Sequence, residues 1–137
     1  MPGQPSSAGS RIGLDAMSGR ATQTARTTYL ALLTAAPTDA TTLATMTEVT
    51  TPASNGYNRL AVTWSDPAAT EVSSNTAVLS FGPLTADLGN VTHCALVSAL
   101  TGTTGDFIYW WALDTARDPA INDRIEFAIG ALSMGLE

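Results

Sequence analysis

From residue 27 onward, turn signals cut the chain into segments that are too short for helices and of the right length for strands. Pro37-Thr-Asp39, Asn55-Gly56, Ser65-Asp-Pro67, Gly89-Asn90, the span from Gly102 to Gly105, and Asp118-Pro119 supply the signals. Each brings a residue that tolerates positive φ, fixes φ, or bonds its own backbone. Between them lie seven candidate strands at 27–35, 57–64, 74–81, 90–100, 107–114, 124–129 and 132–136. This spacing predicts an all-β fold, a β-sandwich or jelly-roll-like single domain over residues 27–137. No internal repeat is evident, and 137 residues suit one domain with one sizeable core.

The strands fall into two kinds. In 57–64, Leu60, Val62 and Trp64 share a face; in 124–129, Ile125, Phe127 and Ile129 alternate with Arg124 and Glu126. Such strands bury one face and wet the other. By contrast, Tyr29-Leu-Ala-Leu-Leu33, Cys94-Ala-Leu-Val97 and Phe107-Ile-Tyr-Trp-Trp-Ala-Leu113 are apolar on both faces. In a small two-layer domain the second face needs a cover. A helix can cover part of it, and a partner subunit is expected to cover the rest.

Residues 11–26 predict a short helix and a connection. The helix runs over 11–20, with Ser10 as N-cap, Ile12, Leu14 and Met17 as its apolar side, and Gly19 as its stop. Residues 1–10, rich in Pro, Gly and Ser, favour coil or polyproline conformations and read as an extended N-terminal arm. An arm of this kind is expected to lie on a neighbouring subunit.

Charged residues make up only 13% of the chain while hydrophobic residues make up 45%, so disorder is excluded. The usual charged share is about 25%, so a surface partly covered by neighbours is implied. There is no lysine, and the net charge is −6 with six arginines: Arg11, Arg20, Arg26, Arg59, Arg117 and Arg124. Three of these fall in the first 26 residues, which leaves a strongly acidic body. Such a body repels nucleic acid and anionic membranes. Arg11 and Arg20, with Ile12 and Leu14, are the candidate face for docking on an acidic partner. No apolar run approaches the ~18 residues of a membrane span, and residues 1–10 lack the apolar core of a signal peptide.

Catalytic and metal chemistry find few footholds. His93 is the single histidine and lies within a strand, so multi-histidine metal sites and most triads are ruled out. Ser80 and Ser98 are its conceivable partners, but no nucleophile-elbow sequence surrounds either. Cys94, the single cysteine, excludes an internal disulfide and suits a small buried hydrophobe. The carboxylates cluster in turns (Asp39, Asp66, Asp87, Asp106, Asp118, Asp123), where bonding nearby backbone N–H groups is their ordinary role. The run from Asp118 to Asp123 lacks the spaced calcium pattern. Gly102-Thr-Thr-Gly105 has no following Lys or helix and reads as a tight hairpin. Tyr109, Trp110 and Trp111 suggest a sugar-stacking platform, but alternation sends Trp110 to one face and its neighbours to the other. Core or interface is the expected role of all three.

An ordered set of segments over 29–137 resembles a family of small tailed-phage virion proteins, tail-fibre-like and in some cases head decoration proteins. The segments begin with Tyr29-Leu-Ala-Leu-Leu-Thr-Ala-Ala-Pro37, Thr47-Glu-Val49, Asn55-Gly-Tyr-Asn-Arg59 leading into Ala61-Val62, and Ser74-Asn-Thr-Ala77. Phe81, Thr85-Ala-Asp87, Gly89-Asn-Val-Thr-His93, Trp111-Ala-Leu113, Asn122-Asp123 and Gly130-Ala-Leu132 complete them. The resemblance implies a β-sandwich structural subunit on the outer particle surface, made in the host bacterial cytoplasm, without catalysis or cofactor. The arm before Arg11, Cys94 and the doubled Trp110-Trp111 depart from the family pattern.

Two functional expectations follow. The first is a capsid decoration protein that binds the major capsid protein on the outer head and cements capsomers, with self-association as trimers permitted by the analogy. The second is a tail fibre or tail-tip subunit that joins tail proteins and contacts the host surface through an exposed aromatic among Tyr109, Trp110 and Trp111. A small hydrolase using His93 is a distant third.

Overall fold

The strands carry the β-branched and aromatic runs, and the polar turn clusters sit between them. A computed structural model describes residues 3–49, 55–67 and 71–135. In chain order the elements are β1 (Gly3–Pro5), α1 (Ser7–Ser18), β2 (Thr28–Leu33), β3 (Leu60–Val62), β4 (Val72–Ser74), β5 (Leu79–Phe81), β6 (Val91–Val97), β7 (Phe107–Arg117), β8 (Ile125–Phe127) and β9 (Ser133–Gly135). The fold is all-β with one short helix among the described residues. A five-stranded antiparallel sheet has the order β1-β7-β6-β2-β3, and two ribbons, β4-β9 and β5-β8, stand apart from it.

One sheet face gathers the main core. Register places Leu30 opposite Leu96 and Leu32 opposite Cys94, with Tyr109 and Trp111 next across on β7. Phe81, Ile125 and Phe127 of the β5-β8 ribbon, with Leu84, Leu88 and Leu132 from loops, join the same cluster. Aromatic pairs tie it together: Tyr57 stacks on Phe81 at 5.8 Å and Trp64 on Trp111 at 6.1 Å. Leu60, Val62 and Trp64 all belong to it. Ile125 and Phe127 are buried as alternation requires, but Ile129 is 65% exposed. It has passed into the turn that Ala131 N–H closes on the Ala128 carbonyl.

The other face is covered from within the chain. Leu33, Ala95, Val97 and Phe107 form a second cluster with Leu43, joined by Met46 and Trp110. A register shift between Leu96 and Val97 pairs Leu96 with Tyr109 but Val97 with Phe107, so Ile108 is the extra bulge residue and Phe107 turns to this face. The cover is the loop between β2 and β3. Thr34 N–H bonds the Thr47 carbonyl at 2.9 Å and Val49 N–H the Leu32 carbonyl at 2.9 Å. Thr38 N–H donates to Thr41 Oγ1 at 2.8 Å and Thr42 N–H to Thr45 Oγ1 at 2.9 Å, two side-chain turns that fold the loop back. The expected cover, helix plus partner subunit, is thus corrected to a threonine-built loop carrying Leu43 and Met46.

The N-terminal segment also differs from expectation. It is extended at Gly3–Pro5 but pairs with β7 of its own chain, Gly3 opposite Trp111 and Pro5 opposite Tyr109, rather than lying on a neighbour. The helix starts at Ser7, not Arg11, and its N-cap is Ser6, not Ser10: Ser6 Oγ accepts from Gly9 N–H at 3.0 Å. Gly19 ends it in the left-handed conformation, as the sequence indicates. Ser6 fastens the helix to the sheet, because its N–H donates to the Ile108 carbonyl at 3.0 Å and its hydroxyl to the Phe107 carbonyl.

The strand expected over 74–81 divides into β4 and β5 at Asn75, which is 1% exposed. Its Nδ2 donates to the Ala77 and Ala128 carbonyls, both at 2.9 Å, and its Oδ1 accepts from Leu132 N–H at 2.9 Å. These bonds replace a continuing ladder. The strands at 57–64 and 132–136 shorten to β3 and β9, and residue 136 lies outside the described residues. Gly102-Thr-Thr-Gly105 lies in a hairpin, but in a nine-residue loop spanning 98–106 rather than a tight turn.

Candidate interaction surfaces

The helix docks on the sheet through its small residues. Gly9 is buried, and a Cβ there would stand 1.9 Å from the Ile108 carbonyl oxygen. Ile12 and Gly13 line a cleft of about 480 Å³ that also takes in Pro5, Ile108, Pro67 and Met134. With that side committed, the outward side carries Arg11, Leu14 and Met17. Leu14 is 60% and Met17 66% exposed, and Arg11 is exposed as well. Arg20 pairs with Asp15 at 2.7 Å in solvent; the hydrogen bond from Arg20 holds the Asp15 carboxyl below its usual range and raises the guanidinium. An exposed pair of this kind adds little stability. The helix therefore presents two large apolar side chains flanked by arginines.

The aromatic triplet separates. Tyr109 and Trp111 are 6% and 0% exposed within the main core, and Trp111 Nε1 donates to the Ser133 carbonyl at 2.9 Å. Trp111 is packed wholly inside its own chain, and Tyr109 shows only an edge, at the cleft beside α1. Trp110 faces the other way, half-buried, with its ring centroid 5.8 Å from that of His93. Its Nε1 is buried and finds no hydrogen-bond partner among the described residues.

His93 and the serines do not assemble. Burial lowers the His93 pKa, and Nδ1 lies 2.8 Å from the hydroxyl of its neighbour Thr92. Ser98 Oγ accepts from Asp106 N–H at 2.7 Å, closing the hairpin loop, and Ser80 lies against Arg124 on the β5-β8 ribbon. Cys94 is buried opposite Leu32 and Trp111, and that burial pushes its thiol pKa far up. Turn roles account for Asp87, which accepts from Gly89 N–H, and Asp123, which accepts from Ala120 N–H.

A polar cluster that the sequence did not reveal braces the interior. Arg59 makes a two-pronged contact with Glu48, at 2.8 and 2.7 Å, and donates to the Ala99 and Gly102 carbonyls at 2.9 and 3.0 Å. Tyr57 OH donates to Glu48 Oε1 at 2.8 Å and accepts from Leu32 N–H at 3.0 Å. Burial first, then the Glu48 charge, raises the Tyr57 pKa, so the phenol stays a donor. Four segments that share no local pattern (β2, the loop at Glu48, the chain entering β3, and the 98–106 hairpin) are joined here. Only the occurrence of Thr47-Glu-Val49 and Asn55-Gly-Tyr-Asn-Arg59 in the family resemblance hinted at it.

Residues 10–135 match the family described as Podophage GP4 fiber I protein gp80. Comparison with curated proteins gives no match. The matched span runs from the first turns of α1 through β9 and so extends the tailed-phage resemblance of 29–137 to the helix. The chain belongs to the podophage GP4 fiber I protein gp80 family and is a structural component of the phage virion.

Proposed function

We propose that the protein is a non-enzymatic structural subunit of a podophage fibre and that it joins neighbouring tail components through the outward face of α1. The observation that carries this reading is the exposure of Leu14 and Met17, 60% and 66%, on a helix whose opposite side rests on the sheet through Gly9. Large apolar side chains side by side in solvent mark a contact surface. Their arginine flanks suit an acidic partner. The family name points to the fibre. Two features that favoured an outer-head decoration protein, the arm and the two-sided strands, have partners within the chain. A structural rather than hydrolytic role is supported by His93, whose hydrogen bond goes to the adjacent Thr92, while Ser98 and Ser80 bond elsewhere. Gold labelling of a tagged copy on purified particles tests the location. Sparse label at the tail is expected; dense, regular label over the head would overturn the fibre reading in favour of decoration on the major capsid protein.

A further inference from the structure

The fibre reading leaves open what α1 meets, and the topology offers an answer. Besides Leu14 and Met17, a second pair of large apolar residues is exposed on the β5-β8 ribbon: Val78 at 54% and Ile129 at 65%. Val78 directly precedes Leu79, and Ile129 stands in the turn two residues past its partner Phe127, so both flank one end of the ribbon. The two pairs sit on different elements. Helix α1 packs on β7 and β1, whereas β5 packs on β3. β8 and the turn after it border the far half of β7, beyond the part that α1 covers.

Charge is divided between the N-terminal segment and the body. The first 26 residues carry three arginines and one aspartate, and the remainder carries three arginines and eleven carboxylates. Ion pairs engage several of these: Arg59 with Glu48, Arg20 with Asp15 and Arg26 with Asp106 of the body, while Arg124 bonds Ser80 and the Gly82 carbonyl, so Arg11 is the cation that α1 itself presents. Exposed Glu126 stands on the same ribbon as Val78. Two bodies repel each other, and so do two N-terminal segments; the helix of one molecule and the body of another attract.

We infer that the outward face of α1 docks on the Val78–Ile129 end of the β5-β8 ribbon of a second copy of this chain. Leu14 and Met17 meet Val78 and Ile129, and Arg11 meets Glu126. The contact is heterologous: each molecule offers a different surface to each of two neighbours. This is the mode from which open rows are built when rotation does not close a ring. The inference rests on the fibre reading only for its biological use.

Sedimentation velocity over a concentration series tests it with the full chain and two double variants, L14S/M17S and V78S/I129S. All four positions are exposed, so both variants should melt as the parent does. The parent mass is expected to rise with concentration. Each variant alone should associate about tenfold more weakly or worse. An equimolar mixture of the two should form a dimer and stop there, because only one good helix face and one good ribbon end remain between them. A parent monomeric throughout, a ribbon variant that associates like the parent, or a mixture that stays monomeric would each overturn the inference. These outcomes are independent of particle labelling, which addresses the fibre reading alone.

Discussion

Gly9→Ala pits two physical effects of opposite sign against each other. In an exposed helix the change favours the helix by roughly 1 kcal/mol, since glycine gives up more backbone freedom on folding. Here the new Cβ would sit 1.9 Å from the Ile108 oxygen and 2.9 Å from its carbonyl carbon, both backbone atoms of β7. Neither can swing aside, so the helix must lift. Lifting stretches the Ser6 N–H bond to the Ile108 carbonyl and the Ser6 hydroxyl bond to Phe107, both made by a residue 1% exposed. Two buried hydrogen bonds at about 1–2 kcal/mol each give a loss of about 2–4 kcal/mol. Net of propensity, Gly9→Ala should destabilise the protein by about 1–3 kcal/mol, or about 4–12 °C in Tm at this chain length. Thermal denaturation reads the total, and amide exchange over residues 3–18 locates it. A variant that melts at or above the parent temperature would refute the docking geometry and show that propensity alone governs the helix.

Asn75→Ala should cost about 3–5 kcal/mol in urea denaturation, because two carbonyls and one N–H lose their partner where β4 gives way to β5. The twin tryptophans should diverge: Trp110→Phe removes an Nε1 without a partner and should shift stability by less than about 1 kcal/mol. Trp111→Phe loses the bond to the Ser133 carbonyl and core volume, and should cost about 2–4 kcal/mol in the same assay. Burial holds the His93 pKa below its ordinary 6.5, so the unfolded chain binds the proton first as the medium acidifies. Its contribution to stability is therefore present above pH 6.5 and falls as pH drops through that value toward the folded pKa. Melting temperatures of the parent and His93→Gln, compared across this range, should converge toward acid.

The turns and the paired strands were legible because their signals are local. Asn55-Gly56, Gly89-Asn90 and Asp118-Pro119 bound segments of uninterrupted strand patterning, and Gly19 stops the helix where a left-handed residue is needed. The helix start was not legible: serines at 6, 7 and 10 all suit an N-cap, and Gly9 disguises the first turn. Only the proximity of the Ile108 carbonyl shows why glycine stands there. β1 escaped notice because Gly-Gln-Pro has no strand-type apolar alternation and is a strand solely through β7's backbone. Leu43 and Met46 are isolated among threonines and alanines, so no periodicity marks them as a lid. Of the candidate surface, Leu14, Arg11 and the split of Trp110 from its neighbours could be read from helical and strand periods. The Val78–Ile129 end could not, because Ile129 continues the buried parity of Ile125 and Phe127 and leaves it only where the chain turns.

This internal closure changes where an assembly contact can lie. Low charge and two-sided strands together suggest a sheet that waits for a neighbour, yet both faces of the five-stranded sheet pack against the chain itself. The large apolar residues left in solvent are Leu14, Met17, Val72, Val78, Leu100, Ile121 and Ile129, and among the described residues none belongs to that sheet. They lie on the helix, the ribbons and the loops around its rim. On the proposed contact between α1 and the ribbon end, a subunit with a closed core and an apolar rim would meet its neighbour edge to edge, and copies would follow one another along a line. That geometry suits a fibre, with the acidic body keeping parallel rows apart.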